Sequence, residues 1–315
     1  LWDTSRLRPA TDLAALFKAD GLAPDFEGTG LNFIHRQLGD TEIYFISNAQ
    51  EQPNTVSCVF RVSGKVPELW NPETGSIRTL SAFTETNGRT TVPLQFGPMQ
   101  SWFVVFRPKE TSTPIQRGNN FSAPHALREI AGSWEVTFDP KWGGPDTPVK
   151  FERLSDWSTH PDQRLRFYSG TAVYKKTIEL SADDIQTRNG RLTLDLGQVA
   201  VMARVQVNGM DCGIAWKPPY RVDISTAARP GHNSVEIHVV NLWINRMIGD
   251  EHLPEDSKWI DAETLAEWPE WFQNGSKRTS GRYTFTTAKH YKKESPLSSS
   301  GLLGPVKLQK LEFPD

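Results

Sequence analysis

The sequence predicts an all-β protein: two antiparallel β-sandwich domains, the second jelly-roll-like, with one short helix near the start. Three observations carry this prediction. Apolar residues recur in twos along most of the chain, as at Leu192, Leu194 and Leu196 and again at Val205 and Val207, which is the period of a strand with one buried face. Turn chemistry separates such runs: Asn208-Gly209 accepts positive φ and reverses an antiparallel pair, and Asn87-Gly88 and the PETG of residues 72–75 do the same upstream. Clear helical spacing near the start is confined to residues 12–20, where Leu13, Leu16 and Phe17 fall at i, i+3 and i+4 and Asp20-Gly21 ends the pattern.

Taken in order, residues 29–108 read as a small β-sandwich. Ile43 to Ile46 is a compact apolar run, residues 58–62 alternate, and residues 102–106 read as a buried strand. Residues 109–129 read as a linker, because residues 109–123 are rich in Thr, Ser, Pro, Asn and Gly and have no period. The second domain, 130–315, opens with the alternating strand of residues 132–138. Residues 169–174, with the Lys-Lys-Thr-Ile that follows, suggest an edge strand with a polar outer face. After the NG hairpin come residues 220–224 and 235–240 as further strands, an insertion over residues 250–282 in which the sheet signal stops, one or two helical turns at residues 261–267, and closing strands at residues 283–287 and 306–311.

Composition narrows the function classes. The chain has 315 residues, 22 Pro, 23 Gly, 11 Trp and a formal net charge of -2, enough for about two domains of roughly 100 to 200 residues. No apolar run approaches the ~20 residues that span a bilayer, and no basic cluster offers a phosphate backbone a footprint. Neither a membrane nor a nucleic acid is expected as a partner. Cys58 and Cys212 fall in different domains, which argues against a disulfide framework within either.

Certain motifs carry a resemblance. LDLG, VNG, Gly213 to Trp216, PPY and DIS over residues 193–225, with Asn233 to Ile237, resemble the sugar-binding, galactose-binding-like jelly roll of glycoside hydrolase family 2. NLWINRMIGD at 241–250, YTFTT at 283–287, His290-Tyr291, SPL at 295–297 and SGLLGPV at 300–306 are similar to the C-terminal part of family 106, the α-L-rhamnosidases and their relatives. Ile34-His35-Arg36, IYFISN at 43–48, PELW at 67–70 and Thr74-Gly75 fit the same family. The resemblance implies a C-terminal β-sandwich portion with an accessory, carbohydrate-binding and scaffold role in a secreted or periplasmic bacterial enzyme acting on plant or algal polysaccharide. It also implies that residues 1–28 are the remnant of a junction with a preceding catalytic barrel, absent from this sequence, and that this barrel is a partner of the chain. In that family another aromatic stands where this chain has Ala288.

Glycoside hydrolysis needs two carboxyl groups about 5 to 9.5 Å apart. With 37 acidic residues, spacing along a β sequence selects no pair, so no catalytic residue is named. No His-x-x-x-His or Cys-x-x-Cys is present, no metal ligand is named and no cofactor is expected. A structural calcium on backbone carbonyls and one or two carboxylates suits jelly rolls of this kind and leaves no readable spacing.

The aromatic residues point to an oligosaccharide or polysaccharide, because sugars present apolar C–H faces fringed with hydroxyls and so pair with an aromatic platform and forked polar groups. Three clusters qualify. Trp142 with Asp146, Trp157 and His160 is the first, with Trp157 either a platform or a core residue. Trp216 with Tyr220 is the second, unless it is a proline-rich corner packed on the sheet. The third joins Trp243, Asn245, Arg246 and Asp250 at the exit of a strand to Trp259, Trp268 and Trp271 of the insertion and to His290, with Arg246 either on the sugar or paired with Asp250. A freestanding carbohydrate-binding module and a ligand-free scaffold are the alternatives in other classes.

Overall fold

The computed structural model describes residues 13–108, 120–121, 124–186 and 190–312. They form two compact units, one up to residue 121 and one from 124 to 312, each with its own hydrophobic core. Both are built of antiparallel sheets, and helix α1 (Leu13–Ala19) precedes the first, as the alternation and the single helical stretch predict.

In the first unit, β1 (Phe26–Glu27), β2 (Asn32–Leu38), β3 (Thr41–Ser47), β4 (Asn54–Phe60), β5 (Lys65–Trp70), β6 (Ile77–Thr79), β7 (Thr84–Thr86), β8 (Arg89–Phe96) and β9 (Ser101–Pro108) make two sheets, ordered β1-β4-β8-β7 and β2-β3-β9-β5-β6. Tyr44, Ile46, Phe60, Leu94 and Phe106 are fully buried, with Tyr44 edge-on to Phe60 at 4.9 Å and to Phe106 at 6.0 Å. His35 of β2 stacks on Tyr44 at 4.0 Å and lies between two carboxylates, Asp25 at 2.8 Å and Glu42 at 3.0 Å. His35 is thus an ion-pairing residue on the edge strand β2 of its sheet.

The second unit contains β10 (His125–Glu129), β11 (Trp134–Phe138), β12 (Val149–Phe151), β13 (Thr171–Leu180), β14 (Gly190–Asp195), β15 (Gln198–Ala200), β16 (Met202–Val207), β17 (Met210–Ala215), β18 (Arg221–Asp223), β19 (Gly231–Val240), β20 (Gly301–Gly304) and β21 (Lys307–Glu312), with the single-turn helices α2 (Gln163–Arg166) and α3 (Ala182–Ile185) on either side of β13. A six-stranded sheet, β12-β11-β13-β19-β16-β17, accompanies a four-stranded one, β10-β21-β14-β18, and the pair β15-β20. Leu192, Leu194 and Leu196 are all fully buried, as their alternation predicts. The β16–β17 hairpin turns at Asn208 and Gly209, whose φ values of 52° and 79° are both positive; a primed turn demands this, and it is the reason the dipeptide is Asn-Gly.

Several expectations need correction. The strand containing Tyr174 lies at no edge: β13 pairs with β11 and β19, and Lys175 lies on its open face, bonded across to Glu236 at 3.1 Å. Within the linker assignment of 109–129, residues 125–129 form β10 and pair with β21, a partner so distant in sequence that no local pattern reveals it; residues 109–119 and 122–123 lie outside the described residues. Trp243 and Ile244 do not continue a strand. Ile244–Asp250 is a helix, α4, because Ile244 and Ile248, and likewise Arg246 and Asp250, are one turn apart and line the same side. The helical turns fall at Glu270–Asn274 (α5) rather than at 261–267. Residues 283–287 form no strand, since the donors of residues 283 and 284 go to a carboxylate instead of a ladder.

Asn120, next to the undescribed stretch, is buried in the first unit. Its side chain accepts from Ala82 N at 2.9 Å and donates to Ala82 O at 2.7 Å and Pro93 O at 3.0 Å. Asn120→Ala orphans this buried backbone and is expected to cost about 1–3 kcal/mol, read as an earlier midpoint in urea unfolding.

Candidate functional site

The chain leaves β19 after Val240 and next forms a strand at β20, and residues 241–300 between them hold the third sequence cluster. Their base is fastened by amides. Asn241 Nδ2 donates to Tyr168 O at 2.8 Å and to Ser300 Oγ at 3.0 Å. Asn245 Nδ2 donates to Ser298 O at 2.7 Å and Ser300 Oγ at 3.0 Å, while its Oδ1 accepts from Ser298 N at 2.8 Å. The α4 backbone is held as well, with Arg246 N donating to Ser169 Oγ at 3.1 Å.

Asp250 is the hub, and it is 1% exposed. Its Oδ1 accepts from Arg246 Nε at 3.1 Å, and its Oδ2 accepts from Tyr283 N at 2.8 Å, Thr284 N at 2.7 Å and Thr284 Oγ1 at 2.8 Å. Arg246 is therefore spent on Asp250 and on the face of Tyr283, 4.9 Å away. Gly249 is required by space: a Cβ there would collide with Arg246 Nη2 and Phe167.

Outside this hub lies a more hydrated network. Arg278 pairs with Asp256 through Nε–Oδ2 at 2.5 Å and Nη2–Oδ1 at 3.0 Å, also donates to Thr284 O at 2.6 Å, and lies 4.4 Å over Trp271. Arg282 reaches Glu251 at 2.9 Å, and Lys289 reaches Glu255 at 2.6 Å. Burial alone would raise the pKa of Asp256, but hydrogen bonds from Arg278 and Ser280 and the positive charges of Arg278 and Arg282 outweigh it and hold the carboxyl below its ordinary value. Glu255 is held low in the same way, burial being outweighed by Lys289 and Arg282. These groups enclose a small polar cavity of about 30 Å³, lined in part by Glu251, Glu255, Trp259, Arg282, His290 and Tyr291, with room for one or two waters.

The aromatic residues divide into three environments. Trp157 is wholly buried, donates Nε1 to Tyr174 Oη at 2.6 Å and packs against Phe138 and Tyr168; it is a core residue and presents no face to a ligand, so the first sequence cluster does not converge. Trp142 from that cluster is exposed and meets Trp243 edge to face at 4.9 Å. In the insertion, Trp268 stacks on Phe272 at 5.1 Å and 21°, Phe272 packs on Phe285 at 5.1 Å, and Trp271 lies edge-on to Phe285 at 5.3 Å. Trp268 and Phe272 remain 50% and 52% exposed. Trp216 is exposed and Tyr220 packs against the core.

Of the residues singled out for sugar, Trp259 and His290 line the cavity, Trp268 and Trp271 join a ring cluster with Phe272 and Phe285, Trp142 and Trp243 form a pair, Trp157 is in the core, and Asn245, Arg246 and Asp250 are buried fasteners. Sequence reasoning passed over Tyr283, Phe285, Phe272, Arg278 and Arg282. The signal for the arginines was charge: Asp250, Glu251, Glu255 and Asp256 in the first half of the insertion are answered by Arg278 and Arg282 in the second. Among the described residues no cluster of three or more His, Cys, Asp or Glu side chains could hold a metal ion, and every carboxylate whose pKa is resolved as moved is moved down, opposite to what a general acid requires.

Comparison with known proteins gives three matches. The family model for alpha-L-rhamnosidase, glycoside hydrolase family 106, matches residues 5–85. A solved rhamnosidase structure from Novosphingobium sp. PP1Y superposes with a TM-score of 0.80 at 33% identity, over 96% of this chain and 26% of that one. The resemblance to family 106 is thereby shown. A curated protein of Formosa agariphila, named provisionally as a beta-glucuronidase, is 43% identical over 182 residues, which are 58% of this chain and 15% of that protein. The chain thus has glycoside hydrolase relatives and spans about a quarter of the rhamnosidase and less of the Formosa protein.

Two outcomes are expected for this family 106 relative. Asp250→Ala leaves Arg246 buried without its partner and frees residues 283–284, costing about 3–5 kcal/mol and opening a new site of limited proteolysis near residue 284. Acid also weakens the fold: Asp156 and Asp256 have folded pKa values below the ordinary 3.8, so the unfolded chain binds protons first, and the stability they supply is present above that value and lost as pH falls through the folded values. Thermal midpoints measured from pH 7 to pH 2 should fall steeply only below about pH 4, and less steeply in Asp256→Asn.

Proposed function

We propose that this chain is the accessory β-sandwich part of an α-L-rhamnosidase-like glycoside hydrolase of the bacterial periplasm or exterior, acting on plant or algal polysaccharide, and that its insertion holds carbohydrate. Bond cleavage belongs to a catalytic domain outside these residues. The observation that carries the binding reading is the triangle of Phe285, Phe272 and Trp268, with centroids 5.1, 5.1 and 6.0 Å apart, which keeps Trp268 and Phe272 half-exposed. The open indole surface of Trp268 suits the apolar side of a pyranose. The neighbouring charges are already matched to one another, which leaves stacking as the main attraction and predicts weak, salt-insensitive binding.

The test is calorimetric titration with rhamnose-containing and glucuronate-containing oligosaccharides, the two sugars that the relatives' names suggest, together with a hydrolysis assay on aryl α-L-rhamnoside. The chain should bind one series and release no aryl group, and Trp268→Ala should weaken binding about five- to tenfold, for about 1 kcal/mol of stacking. Binding unchanged in Trp268→Ala, or turnover by this chain alone, would overturn the reading.

A further inference from the structure

The Trp142–Trp243 pair and the Trp268 cluster arise from separate segments, yet they share one stretch of backbone. Trp142 ends the 3₁₀ turn Pro140–Trp142, which Asp139 caps and Gly143 terminates at φ 80°. Tyr283 lies on that glycine so closely that a Cβ at residue 143 would stand 2.9 Å from the ring. The other side of the same patch is Trp243, at the start of α4, and Arg246 of α4 holds Tyr283 by its face at 4.9 Å. Tyr283 is therefore built into the Trp142–Trp243 patch. Two residues on, Phe285 is built into the other, 5.1 Å from Phe272 and 6.0 Å from Trp268. Two residues of chain span at most about 7 Å, and Thr284 between them is turned to Asp250 by both its backbone N and its hydroxyl. Trp142, Trp243 and Tyr283 are 39%, 42% and 39% exposed. Apolar surface this extensive, locked in place by a buried ion pair, is not the residue of an unfilled core.

We propose that the two patches form a single aromatic tract running across residues 283–285, and that this tract takes successive residues of one oligosaccharide chain. The inference rests on the carbohydrate reading of the insertion and extends it from a single platform to a polymer-length site. A monosaccharide uses one end of such a tract. A longer chain uses both, the second contact being intramolecular once the first is made, so affinity climbs with ligand length.

The test titrates the sugar series found to bind, from monosaccharide to hexasaccharide, into the wild-type chain and into Trp142→Ala, Trp243→Ala and Trp268→Ala, with Trp216→Ala as an exposed tryptophan outside the tract. The wild type and Trp216→Ala should gain tenfold or more in affinity from mono- to hexasaccharide. Trp268→Ala and either variant of the far patch should each lose that gain while retaining the wild-type thermal midpoint; using two far-patch variants keeps the test valid if one of them misfolds. A length gain preserved in folded Trp142→Ala and Trp243→Ala but lost in Trp268→Ala would overturn the tract and leave the Trp268 platform standing. Binding by none of the sugars would overturn both.

Discussion

A buried carboxylate with nowhere else to discharge its charge governs the second unit's insertion. Asp250 divides its two oxygens between a guanidinium on its own helix and the backbone of a segment 33 residues away, and each bond is needed because the others have removed the group from water. Taking charge out of water is tolerable only when every lone pair is met. Helix α4, the stretch around Thr284 and the ring of Tyr283 are thus solutions to one electrostatic requirement. The outer pairs, such as Lys258 with Glu267, which are well exposed at 2.6 Å, contribute little by comparison, since water screens them.

The aromatic residues can be ranked by the same question of what folding demands. Trp134, Trp157, Tyr168 and Tyr174 fill the core of the second unit with all their surface, and their polar tips are satisfied within it: Tyr174 Oη accepts from Trp157 Nε1 at 2.6 Å and from Leu302 N at 3.2 Å. Burial raises the Tyr174 pKa, so the hydroxyl keeps its proton. With that core closed, the rings of the insertion have no interior left to enter. Their exposure is a property of where the chain holds them, by way of Asp250, Asn245 and Gly249.

Strands were legible in the sequence because a period of two is local, and the β16–β17 turn was legible because only Asn-Gly-like pairs accept two positive φ values in succession. What could not be read was non-local. Whether β13 is central or peripheral depends on β11 and β19; β10 exists only because β21 lies beside it; and residues 283–287 have the alternation of a strand without a neighbour to pair with. The site followed the same rule. NLWINRM forms the base of the insertion, where Asn245 and Arg246 act as fasteners because their partners, Ser298, Ser300 and Asp250, are supplied by folding. Trp142 and Trp157 looked alike at the level of composition, and only burial separates them.

Gly249 marks where this design cannot drift. No turn requires its flexibility; the Arg246 guanidinium and the Phe167 ring simply occupy the place of a side chain. Residues 246, 249, 250 and 284 are consequently coupled and can change only in concert. Trp142, Trp243 and Trp268, which face outward, carry no such obligation and can be exchanged one at a time at small cost to the fold. The frame and the outward-facing rings are therefore separately heritable, so a lineage can exchange those rings in single steps without passing through an unfolded intermediate.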